Sequence, residues 1–204
     1  MSKLSRFSVA LLFLLVAYPA SAGLITFGEV PLGTSVDTEY GSVGVLFAPT
    51  NSGGGSAPTF VTVNSPPIAS PGSGTYAAFN TLPVFGSADT LIMDFVDPSN
   101  NSIPGWVAGS GLSFVLWDTE SSVSFWTYDV FGGLIGSGSL VTNVPVSFSG
   151  FSGDVHRVVF SDTGGDGFVI DQIGYGDITA IPEPATFGLL GAGLLAIGLL
   201  RRRS

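Results

Sequence analysis

Ten short runs rich in Val, Ile, Phe, Thr and Trp punctuate the middle of this chain: LITF, VGVLFA, TFVTV, TLIMDFV, LSFVLW, SVSFWTYDV, LIGSGSLV, VPVSFS, VHRVVF and FVIDQIGY. Clusters of Gly, Ser, Pro and Asn separate them. β-Branched and aromatic side chains suit a pleated, half-buried surface, and the intervening residues form turns, so each run reads as a strand. Nothing between residues 23 and 180 keeps a helical hydrophobic period over ten residues. This pattern predicts an all-β fold, an antiparallel β-sandwich of jelly-roll-like topology. With no cysteine in the sequence, neither a disulfide nor a thiolate metal site can hold the domain, which must rest on its core.

Charge narrows the partners. Of six basic residues only Arg157 lies within residues 23–180, against 14 of the 15 acidic ones, which gives that part a net charge of −13. Such a field repels phosphate, so no nucleic-acid partner is expected. The glycine-rich stretches TNSGGGSAP and SPPIASPGSG lack the Lys of a phosphate loop and read as plain loops.

The pair of runs around residues 112–128 reads as a hairpin turning at Asp118–Ser121, with Leu116 opposite Val123, Phe114 opposite Phe125 and Leu112 opposite Thr127 on a core face. The other face then gathers Trp117, Trp126 and Tyr128 among serines. Flat apolar rings beside hydroxyls are what a sugar-binding platform needs, so these three are the candidate ligand-binding residues. Packing under a loop is the plainer alternative for such a face.

Both ends of the chain carry export features. Lys3 and Arg6 precede the apolar stretch Val9–Ala17, and Ala20-Ser21-Ala22 is the small-residue pattern that signal peptidase accepts, so residues 1–22 read as a signal peptide cleaved after Ala22. At the other end, Ala185–Leu200 is a run of 16 uncharged residues. As a helix it would be roughly 24 Å long, slightly short of a hydrocarbon core of about 30 Å. Arg201, Arg202 and Arg203 compensate by snorkelling and stay cytoplasmic, which makes the run a C-terminal transmembrane helix entered from outside. Residues 23–180 are therefore expected across the inner membrane.

Pro182-Glu183-Pro184, the apolar run and the arginine cluster, in that order, resemble the PEP-CTERM sorting signal of Gram-negative bacteria, here residues 181–204. The same type of tail is also named for the C-terminal segment of ice-binding proteins. The resemblance implies that the membrane protease exosortase cuts at Pro-Glu-Pro. It also implies a transiently anchored protein that ends at the cell surface or in an extracellular matrix, where exopolysaccharide is a natural partner.

VHRVVFSDTGGDGFVIDQIGYGD resembles the closing strands of carbohydrate-binding jelly rolls, in which an Asp of an IDxI strand lies near an acidic residue of the first strand. By that resemblance Asp171 and Glu29, with Asp162 and Asp166 from the adjoining turn, can hold a structural calcium; no other cofactor is expected. Calcium needs six to eight oxygens, so loop carbonyls and waters must complete such a set. An EF-hand does not fit, because Gly164 and Ile173 stand where acids are required. A solvated Gly/Asp turn explains the same residues without an ion.

Catalytic machinery is sparse. A single Asp-Thr-Gly at Asp162–Gly164 lacks the second copy an aspartic-protease dyad requires, and a serine triad would rest on His156 alone. Glycoside hydrolysis needs only two carboxylates and is the one chemistry the composition permits. The expected function is that of a non-catalytic surface or matrix protein binding carbohydrate, with a purely structural role as the alternative.

Overall fold

The computed structural model describes residues 22–51, 59–63, 76–80, 89–117, 123–140, 145–162 and 168–181. These form fourteen strands: β1 Gly23–Ile25, β2 Val45–Asn51, β3 Thr59–Val63, β4 Tyr76–Asn80, β5 Asp89–Asp97, β6 Asn100–Ala108, β7 Ser113–Trp117, β8 Val123–Tyr128, β9 Leu134–Leu140, β10 Val146–Ser149, β11 Asp154–Val155, β12 Arg157–Asp162, β13 Phe168–Tyr175 and β14 Ile178–Ala180. The signal peptide, Pro182–Pro184 and the apolar tail with Arg201–Arg203 lie outside the described residues, as do Ala20 and Asp166; Ala22 is exposed just before β1. No helix among the described residues is long and apolar enough to cross a membrane.

The strands make two antiparallel sheets. One has six strands in the order β10-β7-β13-β4-β3, with β1 added beside β13; the other has eight, β11-β6-β5-β12-β8-β9, with β2 beside β5 and β14 beside β6. Every strand pair is antiparallel, and the sheets pack face to face as a sandwich. Alternation supplies the inner faces. Val123, Phe125 and Thr127 of β8 are buried while Ser124, Trp126 and Tyr128 are half-buried, the period-two signature of a strand with one face on a core.

The expected hairpin at 112–128 does not form. β7 pairs with β10 and β13, whereas β8 pairs with β12 and β9 in the opposite sheet. The two strands instead face each other through the core, where Phe114 meets Phe125 edge to face at a ring-centroid distance of 5.0 Å. Phe160 stands edge-on to Phe114 at 5.3 Å, and Phe151 stacks on Phe114 at 5.3 Å. Edge-to-face packing sets the positive ring edge against the negative face of its neighbour. Gly138, opposite Phe125, leaves room for that ring: a Cβ there would lie 2.5 Å from Phe125 Cζ.

A β-bulge interrupts β13. Ile170 pairs with Leu116 and Ile173 with Phe114, so two residues of β13, Asp171 and Gln172, stand against one of β7. The extra residue resets the alternation. It lets Ile170 and Ile173 both point inward and draws Asp171 in with them, 1% exposed. Tyr175 closes the strand, donating its hydroxyl to Val43 O at 3.0 Å, and burial pushes its phenol up to about 12.

His156 sits where β6 diverges from β5. Its backbone donates to Tyr128 O and accepts from Phe95 N, both at 2.9 Å, and its ring Nδ1 donates to Gly105 O at 2.7 Å. Backbone and ring together thus tie this residue to β5, β8 and β6 at the fork.

Candidate functional site

The face of the eight-stranded sheet turned away from the core carries the most organised set of polar and aromatic groups. Cross-strand register arranges it in rows. In the first, Leu46, Asp94, Arg157 and Tyr128 lie side by side on β2, β5, β12 and β8. In the second stand Ala48, Ile92, Val159, Trp126 and, on β9, Ser137. A third carries Thr50, Thr90, Ser161, Ser124 and Ser139, with Ser161 buried and Thr50 and Thr90 hydrogen-bonded through their Oγ1 atoms, so that it offers its hydroxyls on either side of Ser161.

Trp126 therefore lies in an apolar row between a charged row and a hydroxyl row. It is half-buried, and unlike the core rings it makes no contact with another aromatic ring among the described residues. Arg157 grips Asp94 in a two-point ion pair, Nε to Oδ1 at 2.6 Å and Nη2 to Oδ2 at 2.8 Å. The hydrogen bonds that the guanidinium donates to Asp94 hold its pKa above the ordinary value. Two-point pairing fixes the plane of the guanidinium beside Tyr128. Chemically, the face offers a ring surface, a fixed cation–carboxylate pair and a band of hydroxyls.

Trp117 does not join this face. It belongs to β7, in the other sheet, and only Trp126 and Tyr128 of the three aromatic candidates are brought together. The sequence pattern placed all three on one surface because it treated β7 and β8 as hydrogen-bonded neighbours.

Of the candidate calcium ligands, the Asp166 residue and the Asp162 side chain lie outside what the structure describes. Asp171 is the buried residue of the β13 bulge. Glu29, in the loop after β1, is engaged by protein donors: Thr26 Oγ1 at 2.7 Å and Thr26 N at 3.3 Å to Oε1, and Tyr40 Oη at 3.1 Å to Oε2. Burial raises its pKa, but the hydrogen bonds from Thr26 and Tyr40 outweigh that and hold it below the ordinary value. The turn it braces is strained, because Phe27 takes a φ of 59°, unusual for a bulky residue, while its ring lies edge-on to Tyr40 at 5.7 Å. No three carboxylate, His or Cys side chains converge on a point among the described residues.

A cleft of about 510 Å³ opens at another edge of the same sheet, lined by Trp106, Asp129, Phe131, Ile135, Asp154 and Ile181 among others. Sequence patterning missed it, because its walls come from β6, the β8–β9 turn, β11 and the end of β14 and share no periodicity.

Solved structures with a similar course of chain include a point mutant of the family 29 carbohydrate-binding module CBM29-2, at 15% identity over 77% of this chain and 90% of that one, TM-score 0.40. Others are an arabinose-bound α-L-arabinofuranosidase, at 12% identity over 80% of this chain and 26% of that one, TM-score 0.42, and a DUF4465 family protein from Bacteroides caccae, at 12% over 83% and 97%, TM-score 0.33. Superpositions this loose carry no functional weight. No curated protein matches the sequence. The chain carries a PEP-CTERM protein-sorting motif at residues 180–203, which begins at the last residue of β14.

Proposed function

We propose that this is an exported, non-catalytic protein of the cell surface or extracellular matrix that binds polysaccharide on the outer face of its eight-stranded sheet. The sorting motif supports export and processing by exosortase. In this reading the leader is removed after Ala22, and the apolar run Ala185–Leu200 holds the chain in the membrane until the cut at Pro182-Glu183-Pro184.

One observation carries the binding role. Trp126 and Tyr128 stand two residues apart on β8, both directed away from the core, Tyr128 in the row of the Arg157–Asp94 pair and Trp126 between that row and a row of Ser and Thr. A sugar ring presents apolar C–H faces and hydroxyl edges, and such a surface meets both, the indole by stacking and the flanking rows by hydrogen bonding.

A glycan array probed with the exported protein and with its Trp126→Ala variant tests the reading. Glycans retained by the native protein and lost by the variant support it. Native protein that retains none leaves a purely structural role, and glycans that are cleaved make the protein an enzyme.

A further inference from the structure

Phe131, on the turn joining β8 to β9, is 94% exposed, and Leu134, the first residue of β9, is 61% exposed. The turn is rigid. Asp129 Oδ1 accepts hydrogen bonds from Phe131 N at 2.8 Å and Gly133 N at 2.7 Å, Asp129 N donates to Gly133 O, and Gly132 takes the left-handed φ of 81° that the turn requires. The Phe131 ring adjoins Trp106, Val130, Ile135 and Ile181 along one cleft, and an apolar surface gathered in this way marks a place for a partner.

Its place in the fold identifies that partner. Phe131 lines the same cleft as Ile181, and Ile181 N is bonded to Pro104 O at 2.9 Å, so the chain is fixed to the sheet up to that residue. The uncharged run begins four residues later, at Ala185. Four extended residues span at most about 14 Å. The carboxylates of Asp129 and Asp154 on the same cleft disfavour an anionic surface and suit headgroups that present a cation.

We propose that the Phe131 turn dips into the interface of the membrane that holds the tail, before the tail is cut, and so sets the orientation of the domain there. Aromatic and aliphatic side chains at a membrane–water interface are favourably placed, and a short tether makes the contact effectively intramolecular. The proposal rests on the reading of the tail as a membrane segment.

Because the sequence has no cysteine, single labels can be placed at will. The full chain is reconstituted in phosphatidylcholine vesicles with an environment-sensitive fluorophore at Leu134→Cys, at Ser137→Cys on the outer sheet face, or at Leu195→Cys within the tail. Blue-shifted emission at 134, quenched by brominated lipid and lost on adding Phe131→Ser, is expected, with the label at 137 remaining aqueous. Quenching at 195 but not at 134 overturns the proposal and leaves the tail reading intact. No quenching at 195 overturns both. A label at 134 that responds to a soluble β-glucan oligosaccharide and not to lipid assigns the turn to sugar and also overturns it.

Discussion

Phe114 and Phe125 touch edge to face across the sandwich, 5.0 Å apart at their centroids, although they belong to different sheets. Each holds the opposite sheet at its packing distance, so the contact is a through-core tie between strands that share no hydrogen bond. Phe125→Ala is expected to cost about 3–5 kcal/mol, the range for a buried ring replaced by a cavity. Trp126→Ala, one residue along and turned the other way, is expected to leave the urea midpoint nearly unchanged while abolishing glycan retention. Equal destabilisation by the two variants would place Trp126 in the core and end the platform reading.

Gly138→Ala is the complementary test of the same region from β9. The added methyl would meet the Phe125 ring at 2.5 Å, so ring or strand must move. A loss of about 1–3 kcal/mol is expected, as for overpacking, read from chemical denaturation. The double variant with Phe125→Ala should lose less than the sum of the two, because the ring that clashes is gone.

The ion pair between Arg157 and Asp94 should matter more to ligand than to fold. Its side chains keep 42% and 23% of their surface exposed, and pairs in such settings contribute about 0–1 kcal/mol. Arg157→Ala is expected to shift stability within that range and to weaken glycan retention by loosening the row that holds Tyr128. A variant that binds as well as the native protein would remove Arg157 from the site.

Glu29 predicts a pH dependence of definite sign. Its folded pKa is depressed from 4.5, so it adds stability that is fully present above that value and disappears as the pH falls through the folded pKa. The effect is small, since solvent screens an exposed carboxylate. Between pH 6 and pH 3 the urea midpoint of Glu29→Gln should fall less steeply than that of the native protein; parallel curves would show that the hydrogen bonds from Thr26 and Tyr40 contribute nothing.

Each of the ten runs read from the sequence overlaps a strand, and the inward set Phe114, Leu116, Val123 and Phe125 was legible from alternation alone. Their partners were not. Alternation reports which face of a strand is apolar, and face-to-face packing across a core satisfies it as well as hydrogen bonding within a hairpin. That is why Trp117 was grouped with Trp126. β6 escaped notice for a different reason: its NNSIPGWVA begins with three polar residues and contains Pro104 and Gly105, so it lacks strand propensity and is held by the strands around it. The bulge at Asp171 was equally hidden, because a one-residue insertion is defined by the opposing strand and leaves no trace in its own sequence.

β14 is shared between the fold and the sorting motif. Ala180 pairs with Gly105 and Ile181 is bonded to Pro104, while the motif begins at residue 180. Any mechanical load on the tail thus reaches the domain through a three-residue edge strand. The bond at Ile181 bears it first, then the pairing at Ala180, and last the side chain of Ile178, buried where a Cβ on Gly44 or Gly105 would collide with it. The strand is a tear strip sewn into the sheet, and a cut beyond Ile181 relieves the tension without opening the seam.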